Sequence, residues 1–157
     1  MKKVYSDIDK LLRDVQSDID DVLMNEVLET VRDIEMEHVQ EDVFSVYNPS
    51  IYKRRSNGGI DDPENVKAEV KNGVMTVRND TPFNDDYATK NHGNTLAYMI
   101  NEGGNSEHDY DYGFRGIEAP FSNPRPFIDN TIDELDRTDA IEKALKKGLK
   151  RHDIDLK

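Results

Sequence analysis

The chain has 157 residues, with 33 Asp and Glu against 21 Lys and Arg, a net charge of −12 and a pI near 4.7. It holds no Cys and no Trp, which excludes disulfides, thiolate zinc sites, iron–sulfur clusters and thiol nucleophiles. Its acidity argues against tight duplex binding, where Lys and Arg must replace phosphate counterions, and no apolar run approaches the ~18 residues of a membrane span.

The length is that of one domain, and residues 1–157 are read as a single unit. The N-terminus, Met-Lys-Lys-Val-Tyr-Ser-Asp-Ile-Asp, has no apolar core and does not read as a signal peptide. The expected location is therefore a reducing cytoplasm or a particle assembled there. Charge is uneven. Residues 1–43 carry 13 acidic and 5 basic residues, whereas residues 143–157 carry 2 acidic and 6 basic. These opposed ends can pair within a subunit, pair between neighbours in an oligomer, or stand as two solvated helix faces.

Residues 7–41 read as one long helix, uninterrupted by Pro or Gly. Ile8, Leu12, Val15, Ile19 and Val22 form one helical stripe, which then shifts to Leu23, Val27, Val31 and Ile34. Such a helix spans about 50 Å. Ser6, Asp7 and Asp9 suit its N-terminus. The shift breaks coiled-coil register, so packing along a sheet, with a kink, is the expectation. Residues 43–127 are assigned to sheet and loops. Val43–Tyr47 is β-branched and aromatic and reads as a short strand ended by Asn48-Pro49. Asn57-Gly58-Gly59 is a turn, and Asp61-Asp62-Pro63-Glu64 can open a single helical turn.

The clearest local feature is a hairpin over residues 66–79. Asn72-Gly73, the preferred two-residue type I′ turn, sets Lys71 opposite Val74, Val70 opposite Met75 and Ala68 opposite Val77. Val66, Ala68, Val70, Met75 and Val77 then share one face. Residues 79–94 and 105–123 read as loops. Leu96–Ile100 is a short apolar run whose length does not decide between helix and strand. A last helix spans residues 130–150, capped by Asn130 or Thr131, the latter forming a capping box with Glu134, and with Gly148 among basic residues at its end. The expected fold is α+β: an antiparallel sheet of three to four strands with the two helices on one face.

Enzymatic chemistry finds little support. There is no G-x-S-x-G and no P-loop. Glu35-Met36-Glu37-His38 supplies one Glu-x-x-His, but di-iron bundles need two on four helices, so a solvated helix face is the better reading. His108, Asp109 and Asp111 lack the Gly-centred spacing of a calcium loop. No catalytic residue, metal or cofactor is expected. Lys53-Arg54-Arg55 fits an acidic neighbouring subunit better than a phosphate in so acidic a protein. Tyr47 and Tyr52 suit either packing on the sheet or a subunit contact.

The order of motifs resembles the tail-completion, or neck, proteins of long-tailed bacteriophages, which join head to tail. A long helix leads into Tyr47-Asn48-Pro49-Ser50-Ile51-Tyr52-Lys53-Arg54-Arg55, similar to the family's Tyr-x-Pro-x-x-Tyr-x-Arg-Arg stretch. Gly58-Gly59-Ile60-Asp61 follows, then the hairpin, then a short apolar segment ending in Glu102-Gly103, then Arg125-Pro126-Phe127 and a helix ending in Gly148-Leu149. The acidic loop 105–123 is longer than that pattern. The resemblance implies a non-enzymatic virion protein of the neck or tail, assembled in the host cytoplasm. It implies a ring of identical subunits, usually a hexamer, between the head connector or stopper and the tail tube or its terminator, with DNA only passing through the channel and no membrane contact. Tyr47, Pro49, Tyr52, Arg54 and Arg55 would fix a loop against the sheet or a neighbour, Gly58 and Gly59 stand where the family has a Gly-rich turn, and Arg125, Pro126 and Phe127 would anchor the entry to the last helix. A tail terminator is the alternative in the same class. A small acidic adaptor or inhibitor, mimicking DNA charge, is the alternative from another.

Overall fold

In a computed structural model, the described residues are 7–46, 57–82, 95–103 and 123–155. Asp7 caps the first helix by accepting from the Asp9 amide at 2.9 Å. From there the chain stays helical through α1 (Ile8–Val22), a π turn (Leu23–Val27), α2 (Leu28–His38) and a second π segment (Val39–Phe44). The first π turn lies where the apolar stripe shifts. Val22 and Val27, five residues apart, are both buried, and Val31, Glu35, Val39 and Val43 follow at steps of four. The wider i→i+5 turn rotates the second stripe onto the face of the first, which a regular α-helix would not do. No sharp break is needed.

The helix runs into the expected strand at Val43–Tyr47. Phe44 is still helical, and the Ser45 amide donates to Gln40 O at 2.9 Å. Val39 and Val43 extend the buried stripe, so packing overrides the β preference of a β-branched, aromatic run. Tyr47 lies outside the described residues.

Asp62 caps a single 3-10 turn (Pro63–Asn65) that leads into β1 (Val66–Lys71). β1 pairs antiparallel with β2 (Val74–Asn79) in the register set by the turn, Lys71 opposite Val74 and Val70 opposite Met75. Asn72 and Gly73 have φ of 53° and 76°, as a type I′ turn requires. Among the described residues the sheet has these two strands, not the three or four expected. Leu96–Ile100 belongs to a helix, α3 (Leu96–Glu102), whose N-cap is Thr95.

The expected single C-terminal helix is two: α4 (Phe127–Arg137) and α5 (Ala140–Arg151). Asp139, at φ 53°, makes the break; Asp visits the left-handed region more readily than most residues. Thr131 is inside α4 and is not its cap, since its hydroxyl donates to Phe127 O at 2.7 Å. Gly148 does not end α5. It lies within that helix, where an added Cβ would sit 2.3 Å from Val22 Cγ1. Glycine there lets α5 approach α1 closely.

The long helix is the spine. The hairpin lies along it, with Arg32 Nε donating to Val66 O at 3.0 Å and Gly73 beside Gln16. α4 and α5 run back along it, antiparallel: Asn130 reaches Asp42, Glu134 reaches His38, and Arg151 reaches Asp21. The fold is thus α+β. It holds two apolar clusters. One joins Val22 and Val27 to Ala144 and Leu149, with Met75 of the hairpin against it. The other joins Val39, Val43, Ile60, Leu96, Ala97, Ile100 and Phe127.

Candidate functional site

The second cluster is where the motif residues meet. Gly58 and Gly59 place Ile60 in it, and Arg125-Pro126 places Phe127, whose side chain is wholly buried. Asp62 closes the first loop. Its carboxylate accepts from the Gly58 amide at 3.1 Å and the Glu64 amide at 3.0 Å, while Asn65 Nδ2 donates to Gly59 O at 2.8 Å. The segment 47–56, which holds Tyr47, Pro49, Tyr52, Arg54 and Arg55, lies outside the described residues. In the chain it lies between Phe44 and Ile60, both of which pack in this cluster.

Arg125-Pro126-Phe127 forms a tight turn. The Phe127 amide donates to Arg125 O at 2.8 Å across Pro126, whose φ and ψ of −77° and 51° suit an inverse γ-turn. Arg125 is buried, and its amide donates to Ile100 O at 3.0 Å. Pro126 offers no side-chain cap for α4. Asn101, a buried residue of α3, supplies it: its Oδ1 accepts from the Ile128 amide at 2.9 Å, and its Nδ2 donates to Asp129 and Glu102. Gly103 allows α3 and this turn to touch. Its φ is +73°, and a Cβ there would lie 2.8 Å from Pro124 N. The Asn101-Glu102-Gly103 and Arg125-Pro126-Phe127 motifs are therefore two halves of one joint.

Polar contacts extend the joint along the spine. Asp42 accepts from Asn130 Nδ2 at 2.9 Å and lies 3.0 Å from His38 Nδ1. Glu134 lies 3.4 Å from the other ring nitrogen, Nε2, which is buried and off the geometry of a hydrogen bond. Glu35 is buried on the same helix face, where its Oε1 accepts from Asn79 Nδ2 at 2.7 Å. Asn79 Oδ1 in turn accepts from the Thr81 amide and hydroxyl. Burial raises the Glu35 carboxyl above its ordinary range, and the Asn79 hydrogen bond opposes the shift. Glu35 and His38, the one Glu-x-x-His, thus serve separate contacts.

Among the described residues no group of three or more His, Asp or Glu could hold a metal. One depression among them, of about 260 Å³, is open and lined by Asn57, Gly58, Asp61, Asp62 and Pro63. The opposed charges of the two ends meet within the chain. Arg151 lies 2.7 Å from Asp21 and 3.2 Å from Glu26, and His152 lies 3.2 Å from Asp18.

Sequence reading missed the roles of Glu35, Asn79 and Asn101. The first two were recoverable: Glu35 continues the four-residue stripe of Val27 and Val31, and Asn79 continues the alternation of Met75 and Val77. No local signal marks Asn101 as a cap for a helix 27 residues away.

The site is therefore a joint that organises a small α+β fold around a long spine helix. The YomN family model matches residues 7–151, and the chain belongs to that family. The chain is 30% identical over 118 residues to the "SPbeta prophage-derived uncharacterized protein YomN" of Bacillus subtilis (strain 168), a match covering 75% of this chain and 72% of the relative. No solved structure matches the chain. Family and relative together support a phage-derived origin.

Proposed function

We propose that this chain is a non-enzymatic structural protein of the virion that forms a ring at the neck and joins the DNA-filled head to the tail tube. The observation that carries this reading is the order of the neck-family motifs along the chain, of which Gly58-Gly59-Ile60, Asn101-Glu102-Gly103 and Arg125-Pro126-Phe127 converge on one buried joint, while Gly148-Leu149 lies in the other cluster. The prophage-derived relative supports the phage setting. In this reading Tyr47, Tyr52, Arg54 and Arg55 meet a neighbouring subunit or the connector. Tyr and Arg suit such a contact, because they combine large buried area with hydrogen-bonding tips.

The mechanism is assembly. The ring docks on the connector or stopper, presents a second surface to the tail, and leaves a channel through which DNA passes. Deleting the gene from the producing phage or prophage and imaging the lysate tests this. Filled heads beside free tails of normal length are expected. Overlong or ragged tails would move the role to tail terminator. Normal infectious virions would overturn the reading in favour of an acidic adaptor.

A further inference from the structure

The first two turns of α1 carry an exposed apolar face. Ile8, Leu11 and Leu12 are 73%, 37% and 61% exposed. They continue the stripe that Ile19 and Val22 bury against α5. The hairpin turn lies beside Gln16 of α1, and the end of α5 contacts Asp18. At 100° per residue, Asp14, Asp18 and Asp21 share one edge of that stripe. Arg151 and His152 occupy Asp18 and Asp21, and Ile154 packs beside them on the cluster containing Ile19. Asp14 repeats the same chemistry one turn further out, with no hydrogen bond or ion pair among the described residues, next to Leu11 and Leu12. The subunit thus shows what this surface binds: cationic side chains flanking apolar contact.

The chain carries a matching surface of its own. Lys147 and Lys150 are exposed on α5 and form no ion pair among the described residues. We infer that the N-terminal turns of α1, through Leu11, Leu12 and Asp14, dock on the α5 face of a second copy, with Lys147 and Lys150 beside Asp14. The inference rests on the assembly reading above and names a contact for it. Because the two surfaces differ, the contact is head-to-tail, and repeated copies close into a ring when the rotation between them divides a full turn. Charge pairing sets the register and the salt dependence, and Leu11 and Leu12 lie against the aliphatic stems of Lys147 and Lys150.

Sedimentation velocity on the purified chain, at low and high salt, tests this. The wild type is expected to self-associate, and less so at high salt. Leu12→Asp should weaken association by about tenfold or more, at a position too exposed to unfold the chain. Asp14→Lys alone and Lys147→Glu/Lys150→Glu alone should each stay dissociated, since each sets like charges together. An equal mixture of the two should associate again, because every contact in the mixed chain then joins opposite charges. Recovery in the mixture also shows that both variants are folded. A monomeric wild type, or a wild-type assembly that these variants leave unchanged, overturns the inference. In the second case the ring reading stands and a different contact makes it; the gene deletion tests that reading independently.

Discussion

The two apolar clusters are built differently. The one around Val22 joins regular elements, α1, α5 and the hairpin, through their periodic faces. The one around Phe127 joins four separated segments through turns: the end of the spine helix, Ile60 after a glycine pair, α3, and the start of α4. The first is held by helix-on-helix approach, with Gly148 against Val22. The second is held by loop hydrogen bonds from Asp62, Asn65 and Asn101. Periodic surfaces pack wherever their stripes align. A junction of turns needs particular side chains at single positions, and there the motif residues gather.

That contrast can be broken experimentally. Phe127→Ala should have the largest effect, a loss of about 3–5 kcal/mol in urea unfolding, because it empties the centre of the turn-built cluster. Gly148→Ala should cost roughly 1–3 kcal/mol despite the better helix propensity of alanine, since the new methyl cannot fit against Val22 unless α5 moves. Asn101→Ala should cost about 1–2 kcal/mol through the lost cap, and hydrogen exchange should show the Ile128 amide losing protection before the rest of α4.

Glu35 sharpens the comparison through pH. Its folded carboxyl titrates above its unfolded value, so the folded state binds the proton more tightly. That contribution to stability is fully present below the unfolded value of 4.5 and is lost as pH rises through the raised folded value. Glu35→Gln keeps an acceptor for Asn79 and removes the charge. It should flatten the pH dependence of the denaturation midpoint over that window and leave the protein at least as stable at neutral pH. The smallest effect belongs to the exposed ion pairs. Arg151→Ala should cost about 0–1 kcal/mol, and high salt should erase the difference.

The sequence made the periodic half of the molecule readable. The hairpin register followed from Asn72-Gly73 and alternation, and the stripe shift at Val22–Leu23 marked the place of the π turn. It misplaced Val43–Phe44, because local β preference yielded to burial beside Phe127. It joined α4 to α5, because an Asp accepting a positive φ at position 139 leaves no gap in the apolar pattern. It read Gly148 as a stop where the structure uses it as a contact. In the joint, the motifs were visible as residues, but their convergence was not. Nothing local shows that Asn101 caps the helix starting at Phe127 or that Gly103 touches Pro124.

The central proposal is that this chain is built into the neck. Antibody-gold labelling of gradient-purified virions tests it most directly, using antibody raised against the purified chain. The account predicts gold at the head–tail junction of intact particles and none along the tail shaft. Virions without label, alongside free protein in the lysate, would contradict it.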